Sequence, residues 1–480
     1  MNKENNYYNW FKKVIALFIE LFFVGAILST IYVFTYPFNG TIKIIIFIVL
    51  ILFFFIVVYL LKEKVRKLLS LIIKKLEKLD YRKLLLIVII SLVLLKIIYT
   101  IFFYFDPTLR ENDISIYNSI ANSIYETKAI DTNSISHLLG IALHLVLFKT
   151  LSIPNHIGVF VVFLIGTVFN FISFKEYIGK EKAFLCVMLY LLMPSTILLT
   201  FCPTHELFVY LYISISLFIL NKLLKENTKL KSILFTFLLV VFITLTCFVN
   251  PAGNLVNIIL ALIVLLSNVK AKKKILISVC LILTLVSSNM ITKSLNMNEI
   301  ITETNTYSIL ICGSSVDTNG EHVDKYPANK ARDLLKSRDI KVNGNTQLEA
   351  YKEILIEQYK YLFTHPVELI KLLVHKFYVE WSGDHYSLEM AYDAGAMTST
   401  AYYVLLAISA LIYLFVITIA FVLKDKSKEY SIYELNYNLI VLGVVALLLV
   451  TLVLNKYSVY ATLFIYCVSF DRIDLINKKS

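Results

Sequence analysis

IIIFIVLILFFFIVVYLL occupies residues 44–61, and none of its side chains carries a charge. A helix of about 20 apolar residues crosses the hydrocarbon core of a bilayer, which is about 30 Å thick. The stretch therefore predicts a membrane-spanning helix. The chain around it has 480 residues, of which 58% are hydrophobic and only 17% charged, so it is too apolar for an ordinary soluble globule.

Comparable apolar stretches recur along the chain and predict about twelve membrane spans. They cover residues 14–35, 42–61, 84–105, 156–174, 183–201, 206–224, 231–249, 254–269, 275–292, 401–423, 435–454 and 457–470. The predicted fold class is an all-α polytopic membrane protein with outer juxtamembrane helices and one large outer loop domain.

The basic residues give these spans a direction. The net charge is +12, but Lys and Arg lie in short runs between apolar stretches, as at residues 62–67 and 270–274. With the N-terminus inside, predicted cytoplasmic segments hold 29 of these residues and short outer segments hold 5. Because short cytoplasmic loops are enriched in Lys and Arg, we expect a multi-pass plasma-membrane protein with both termini cytoplasmic. The lipid bilayer, not nucleic acid, is the expected partner of the basic runs.

Two stretches are predicted to lie on the membrane surface. Residues 62–83 form a basic amphipathic helix that suits the anionic inner leaflet. Residues 134–151 must not cross if the basic runs are to stay inside, so we expect a helix in the outer interface with His137 and His144 on its wet side. Lys96, within a predicted span, is expected to extend its ammonium group to the interface.

This topology divides the chain into four regions. Residues 1–83 hold two spans and the cytoplasmic basic helix, and residues 84–292 hold a transmembrane core whose first outer loop covers 106–155. Residues 293–400 form an extracytoplasmic loop domain, and residues 401–480 return to the membrane. The loop domain has 11 basic and 15 acidic residues, so it is not a polyanion-binding module.

The first outer loop, FDPTLRENDISIYNSIANSIYE from Phe105, interrupts the apolar sequence. Ile114, Tyr117 and Ala121 form an apolar stripe at helical spacing, which predicts a helix entered through an acidic turn. Asp113 at its start has two interpretations. It caps the helix, as Asp commonly does, or it is a carboxylate at the membrane boundary that acts as a general base.

This loop resembles the first outer loop of GT-C fold glycosyltransferases, in particular protein O-mannosyltransferases and aminoarabinose transferases (glycosyltransferase family 39). The matching residues are Asp113, Tyr117 and Ala121. A second match is Glu206, an acidic residue in the next outer loop just before a span. The proline-rich signature that relatives carry before the second juxtamembrane helix is absent from residues 132–140.

Two weaker matches lie later in the chain. HPVELIKLLVHKFYVEW resembles the family's outer-loop helix and contributes Pro366, Lys376 and Trp381. Near the C-terminus, where relatives carry an acid and an Arg-Tyr pair, Asn455 and Lys456 stand instead. The matches keep the order and the sidedness of the family.

The resemblance implies transfer of a sugar from a polyprenyl-phosphate carrier to a cell-envelope acceptor on the outer face. Asp113 would be the base, and Glu206 would orient the acceptor or help to hold a divalent cation, which the family does not uniformly require. Lys376 would neutralise the leaving phosphate, followed as candidates by Lys456 and Arg110. Tyr117 and Trp381 complete the implied substrate contacts.

Structural interpretations stand beside these roles. Lys376 is otherwise an interfacial lysine and Trp381 an interface anchor. His205 and His375 are expected to be solvated, and no spacing of His or Cys predicts a metal site.

Two other functions remain open. A surface-polysaccharide polymerase or ligase would depend on outer arginines, of which the loop domain has only Arg332 and Arg338. A transporter or flippase would show polar residues within many spans and repeat symmetry, whereas these spans are nearly free of charge.

Overall fold

The structure is a computed structural model that describes the chain outside a few short gaps. Its backbone is described except at residues 1, 36–38, 107–112, 131–135, 251–252, 268–269, 295–298, 322, 324, 382–385, 425–431, 451–458 and 474–480. Some side chains beside these gaps, that of Asp113 among them, also lie outside the description.

The first half of the described chain consists of helices joined by short connections. They are α1 (Asn2–Val33), α2 (Gly40–Glu77), α3 (Tyr81–Phe103), α4 (Asp113–Thr127), α5 (Ser136–Thr150), α6 (Asn155–Ile178), α7 (Lys180–Leu191), α8 (Pro194–Leu199), α9 (His205–Lys225) and α10 (Lys229–Val249).

The second half leaves the bundle after two helices and returns to it for the last three. Its helices are α11 (Gly253–Leu266), α12 (Ala271–Ser294), α13 (Glu299–Ser314), α14 (Tyr326–Ser337), α15 (Gly344–Thr364), α16 (Pro366–Trp381), α17 (Tyr386–Asp393), α18 (Ser399–Val422), α19 (Ile432–Val450) and α20 (Val459–Arg472).

The all-α membrane class is confirmed. Seven helices within the described residues are long and apolar enough to cross a membrane, and three shorter apolar helical segments accompany them. The long ones are Trp10–Val33, Gly40–Glu77, Tyr81–Phe103, Asn155–Ile178, His205–Lys225, Lys229–Val249 and Ser399–Val422. The total of about twelve spans stays a prediction.

Two predicted spans differ from the observed helices. The stretch 183–201 is broken into α7 and α8 at Met193, because Pro194 has no backbone N–H and its ring clashes with the preceding turn. The stretch 42–61 instead continues as α2 through the basic residues to Glu77, because residues 41–77 contain neither Gly nor Pro. The predicted basic helix is therefore the second half of a spanning helix.

Helix α9 lies at the centre of the bundle, because 83% of the residues in its most apolar part are buried. Gly166 of α6 lets the two helices approach, because a Cβ there would lie 2.6 Å from the Tyr210 ring. Asn170 of α6 donates to Ser214 of α9 at 2.7 Å, which joins the two helices in the buried interior. The ends of α9 are therefore held in place by a closely packed middle.

Helix α16 joins the group of α13, α14 and α15 to the bundle. Its Trp381 ring meets Phe22 of α1 edge-on at 5.1 Å, and Phe377 packs on Gly25 of the same helix. Thr364, His365 and Pro366 separate two stretches with apolar residues at helical spacing, which predicts a break between two helices. The break is confirmed, since α15 ends at Thr364 and α16 begins at Pro366. Helix α16 thus packs part of its apolar surface against α1 and leaves Val367, Ile370 and Val374 exposed.

Candidate active site

The first part of the site is the beginning of α4. Ile114, Tyr117 and Ala121 are buried, as the sequence stripe predicted. Asp113 is the first residue of α4 and stands four residues before Tyr117. The side chain of Asp113 and the whole of Arg110 lie outside the described residues.

The second part is the beginning of α9. His205 is 5% exposed and Glu206 is fully buried, although both follow a turn between two helices. Nε2 of His205 lies 2.9 Å from a carboxylate oxygen of Glu206. The expectation that His205 is solvated is wrong, because the short turn before it is itself buried.

Tyr117 joins the two parts. Its hydroxyl lies 3.3 Å from Nδ1 of His205, which is 88 residues further along the chain. With the imidazole proton on Nε2, Nδ1 of His205 accepts from the Tyr117 hydroxyl. Tyr117 and Glu206, two residues singled out in the sequence, are thereby joined through His205.

A cavity of about 310 Å³ lies beside this chain of contacts. Its lining residues are Tyr104, Phe105, Asp106, Asn118, Lys149, Pro154, Asn155, His156, Phe201 and Pro203. The Asn155 side-chain amide donates to Asn118 at 3.3 Å, which joins α6 to α4, and the His156 ring meets Tyr104 edge-on at 5.4 Å.

Sequence reasoning missed Asp106, Lys149 and His156. Each lies alone at the end of an apolar stretch, where a polar residue is expected for ordinary reasons of solvation. The one available signal was that all three were predicted on the same side of the membrane. Only folding shows that they line one cavity.

Lys376 lies elsewhere, on α16. It is 1% exposed, and the Glu380 side chain one turn later is equally buried. Its aliphatic stem lies against Gly320, where a Cβ would be 2.7 Å from Lys376 Cε. Burial lowers the pKa of Lys376 to about 8, and the Glu380 carboxylate acts in the opposite direction. Lys376 is therefore an enclosed cation and not a lysine that extends into the interface.

Trp381 is 1% exposed and packs against α1, so it is not an interface anchor. The same burial assigns it to packing and places no open surface at its ring for a substrate. Lys456 lies outside the described residues.

The other histidines differ in their exposure to solvent. His144 was expected on the wet side of its helix, but its ring packs on Phe208 at 4.5 Å and it hydrogen-bonds the Tyr212 hydroxyl. His375 remains partly exposed and pairs with Glu321 at 2.8 Å. His137 lies outside the described side chains.

A larger cavity, of about 610 Å³, lies between α13, α14 and α15. Three carboxylates line it, those of Asp317, Asp333 and Glu357, against the single cation of Lys330. Lys330 and Asp317 are paired at 2.8 Å, and this contact lowers the pKa of Asp317. The lining is thus unsuited to a polyanionic ligand, as the composition of the segment predicted.

Comparison with known proteins adds one structural likeness. No family model matches the chain, and no curated protein matches it in sequence. Among solved structures, it is similar to the archaeal oligosaccharyltransferase AglB from Archaeoglobus fulgidus, solved in complex with an inhibitory peptide and a dolichol-phosphate. The TM-score is 0.42 and the identity 12%, over 82% of this chain and 50% of that one, so the chain spans about half the length of that protein. Because this similarity is low, the function of the chain is inferred from its own residues.

Proposed function

We propose that this protein is an integral membrane glycosyltransferase that moves a sugar from a polyprenyl-phosphate carrier to an acceptor at the predicted outer face. One observation carries the proposal: the contact of Tyr117 with His205 brings the starts of α4 and α9 together, each bearing an acidic residue. Two carboxyl groups on converging helix ends, beside a polar cavity, suit transfer to a hydroxyl group.

The proposed reaction needs a base and a stabilised leaving group. Asp113 takes the proton of the acceptor hydroxyl, the acceptor oxygen bonds to the anomeric carbon, and the bond from that carbon to the carrier phosphate breaks. Glu206, held by His205, orients the acceptor. Lys376, with Arg110 and Lys456 as further candidates, balances the charge of the departing polyprenyl phosphate.

The cavity beside Tyr117 supports this assignment by its size and lining. Ligand pockets begin at about 300 Å³, so a volume of about 310 Å³ accommodates one small polar group such as a single sugar. Asp106 and the amides of Asn118 and Asn155 offer acceptors and donors for hydroxyl groups. Lys149 and His156 add donors for an anion.

A divalent cation is a separate proposal that the side chains permit. Glu206 would supply an oxygen ligand and Asp113 a second. Among the described residues no group of three His, Cys, Asp or Glu side chains is close enough to hold a metal ion, and the side chain of Asp113 is not among them. The proposed transfer steps use side chains alone.

The alternative of a polymerase or ligase that depends on outer arginines is not favoured. Arg338 makes two hydrogen bonds to Glu353, at 2.8 Å and 2.5 Å, so its guanidinium group is already engaged. The acidic cavity next to this pair would also repel an anionic polysaccharide.

The direct test is incubation of the purified protein in nanodiscs with a panel of polyprenyl-phosphate monosaccharides. We expect consumption of at least one donor, with release or transfer of its sugar. Glu206→Gln should abolish most of this activity, and Glu349→Gln, the same change at an exposed site, should leave it intact. Consumption of no donor, or full activity of Glu206→Gln, would contradict the proposal.

A further inference from the structure

Lys96 on α3 is a buried cation within a membrane span. It is 5% exposed, so the expectation that it extends its ammonium group to the interface is wrong. Ionisable side chains inside membrane spans are costly and usually serve a function, with a partner that can be named. The proposed reaction does not use Lys96, so its partners are informative.

The partners of Lys96 lie in the turn between α8 and α9. Its ammonium group donates to the carbonyl oxygen of Thr200 at 3.2 Å and to the Thr200 hydroxyl at 3.0 Å. It also lies 3.2 Å from the centre of the Phe201 ring, within the range of a cation–π contact. Thr200 follows the last residue of α8 and is fully buried, so its carbonyl has no helical partner and needs another donor.

The turn that Lys96 contacts leads directly into the proposed site. Residues 200–206 are all buried, and Pro203 restricts the backbone between the two helices. The amide of Thr204 donates to the Cys202 carbonyl at 2.8 Å, which keeps the turn tight. Because only three residues separate Phe201 from His205, a displacement at Thr200 or Phe201 moves His205 and Glu206 as well.

We propose that Lys96 is a positioning residue: it holds the α8–α9 turn so that His205 and Glu206 meet Tyr117. The effect on catalysis rests on the function proposed above, whereas the effect on the turn does not. Lys96 itself contacts no reacting atom in this scheme. Its cation replaces the water that would otherwise satisfy the end of α8.

Hydrogen–deuterium exchange in nanodiscs tests the positioning role without any substrate. Lys96→Met removes the donors and keeps the length of the side chain. Peptides covering residues 198–208 should then exchange about tenfold faster or more, because hydrogen bonds to a charged group are lost. Peptides from α15 should not change. Lys83→Met, the same substitution at an exposed site on the same helix, should exchange as the wild type does.

Kinetics with a polyprenyl-phosphate sugar give the second readout. A positioning role predicts that Lys96→Met lowers kcat about tenfold or more while KM for the donor changes less than twofold. Lys96→Arg, which keeps the charge and the donors, should recover part of kcat. An increase in donor KM with unchanged kcat would overturn the proposal, because Lys96 would then contact the donor itself.

Three further results have defined meanings. Unchanged exchange at residues 198–208 in Lys96→Met overturns the proposal. If that variant fails to insert, Thr200→Val replaces it. Val keeps the shape but removes one of the two hydrogen bonds from Lys96, together with the bond from the Thr200 hydroxyl to the Ile197 carbonyl, and the same exchange change is expected in smaller degree. Faster exchange in a protein that consumes no donor supports the positioning role and contradicts only the transferase.

Discussion

At the scale of single residues, Asp113 separates the two interpretations of the first outer loop. Asp113→Asn should leave expression and thermal stability near wild type, because Asn serves at a helix start about as well as Asp. It should lower the transfer rate by about 10²–10⁴-fold, because Asn cannot accept the acceptor's proton. The rate of sugar transfer and the melting temperature, measured on the same preparation, distinguish the two interpretations of Asp113.

Glu111→Gln is the matched control for this change. Glu111 lies two residues earlier and outside the matched motif, so most of the activity should remain. An active Asp113→Asn protein would return Asp113 to the role of a helix-start residue.

Lys376 predicts a pH dependence of donor binding. Its pKa is lowered to about 8, so the side chain is protonated below that value and becomes neutral as the pH rises through it. The affinity for a polyprenyl-phosphate sugar should therefore fall as the pH is raised from one unit below to one unit above this pKa. The dissociation constant, measured across that range, gives the profile.

Lys376→Arg is the control, because guanidinium stays charged throughout this range. At the lower end of this pH range its affinity should be lower than that of the wild type, since the planar guanidinium group differs in geometry from an ammonium group. Its affinity should not change with pH. Lys376→Ala should bind the donor weakly at every pH. Wild-type affinity in Lys376→Ala would remove Lys376 from the site.

At the scale of elements, the turn between α13 and α14 holds Lys376 through a glycine. Gly320 has φ of +79° and lies against the lysine stem, whereas Gly395 has φ of +75° and no atom within 4 Å of an added Cβ. Both Gly→Ala changes carry the strain of a positive φ, which costs about 1–2 kcal/mol. Gly320→Ala adds a clash and should destabilise the protein more.

Thermal unfolding of the two variants measures this difference. Gly320→Ala should also weaken donor binding, because the lysine must move away from the new methyl group, and Gly395→Ala should bind as the wild type does. Equal melting temperatures and equal affinities would show that the turn does not position Lys376.

At the scale of the whole molecule, the predicted topology can be tested directly. We expect residues 106–155 and 293–400 outside, and residues 62–83, 270–274 and 424–434 inside. Ile114 and Leu388 belong to one buried apolar cluster, which supports a common side for the two segments predicted to be outside. Opposite sides for Asp113 and Lys376 would exclude a shared site.

Labelling with a membrane-impermeant thiol reagent measures this topology. Cys202 and Cys312 lie in segments predicted to be outside; neither forms a disulfide within the described residues and both are buried, so they contribute little background. Ser337→Cys, at an exposed outer position, should react in intact cells. Lys272→Cys should react only after permeabilisation.

The sequence by itself determined the all-α class, most helix positions and the break before Pro366. Apolar length and proline act locally, and lipid leaves a spanning backbone little choice but a helix. It also marked Asp113, Tyr117 and Glu206 as residues to watch, although their roles stay predictions.

Only the tertiary structure decided which way the side chains of these helices point. A membrane helix is apolar on nearly every face, so its sequence does not show which face meets another helix. For that reason Lys96 and His205 were expected to reach water, and the folded chain instead encloses both at the α8–α9 turn. The cavity of Asp106, Lys149 and His156 was missed for the same reason, since three isolated polar residues become one site only when α3, α5 and α6 pack together.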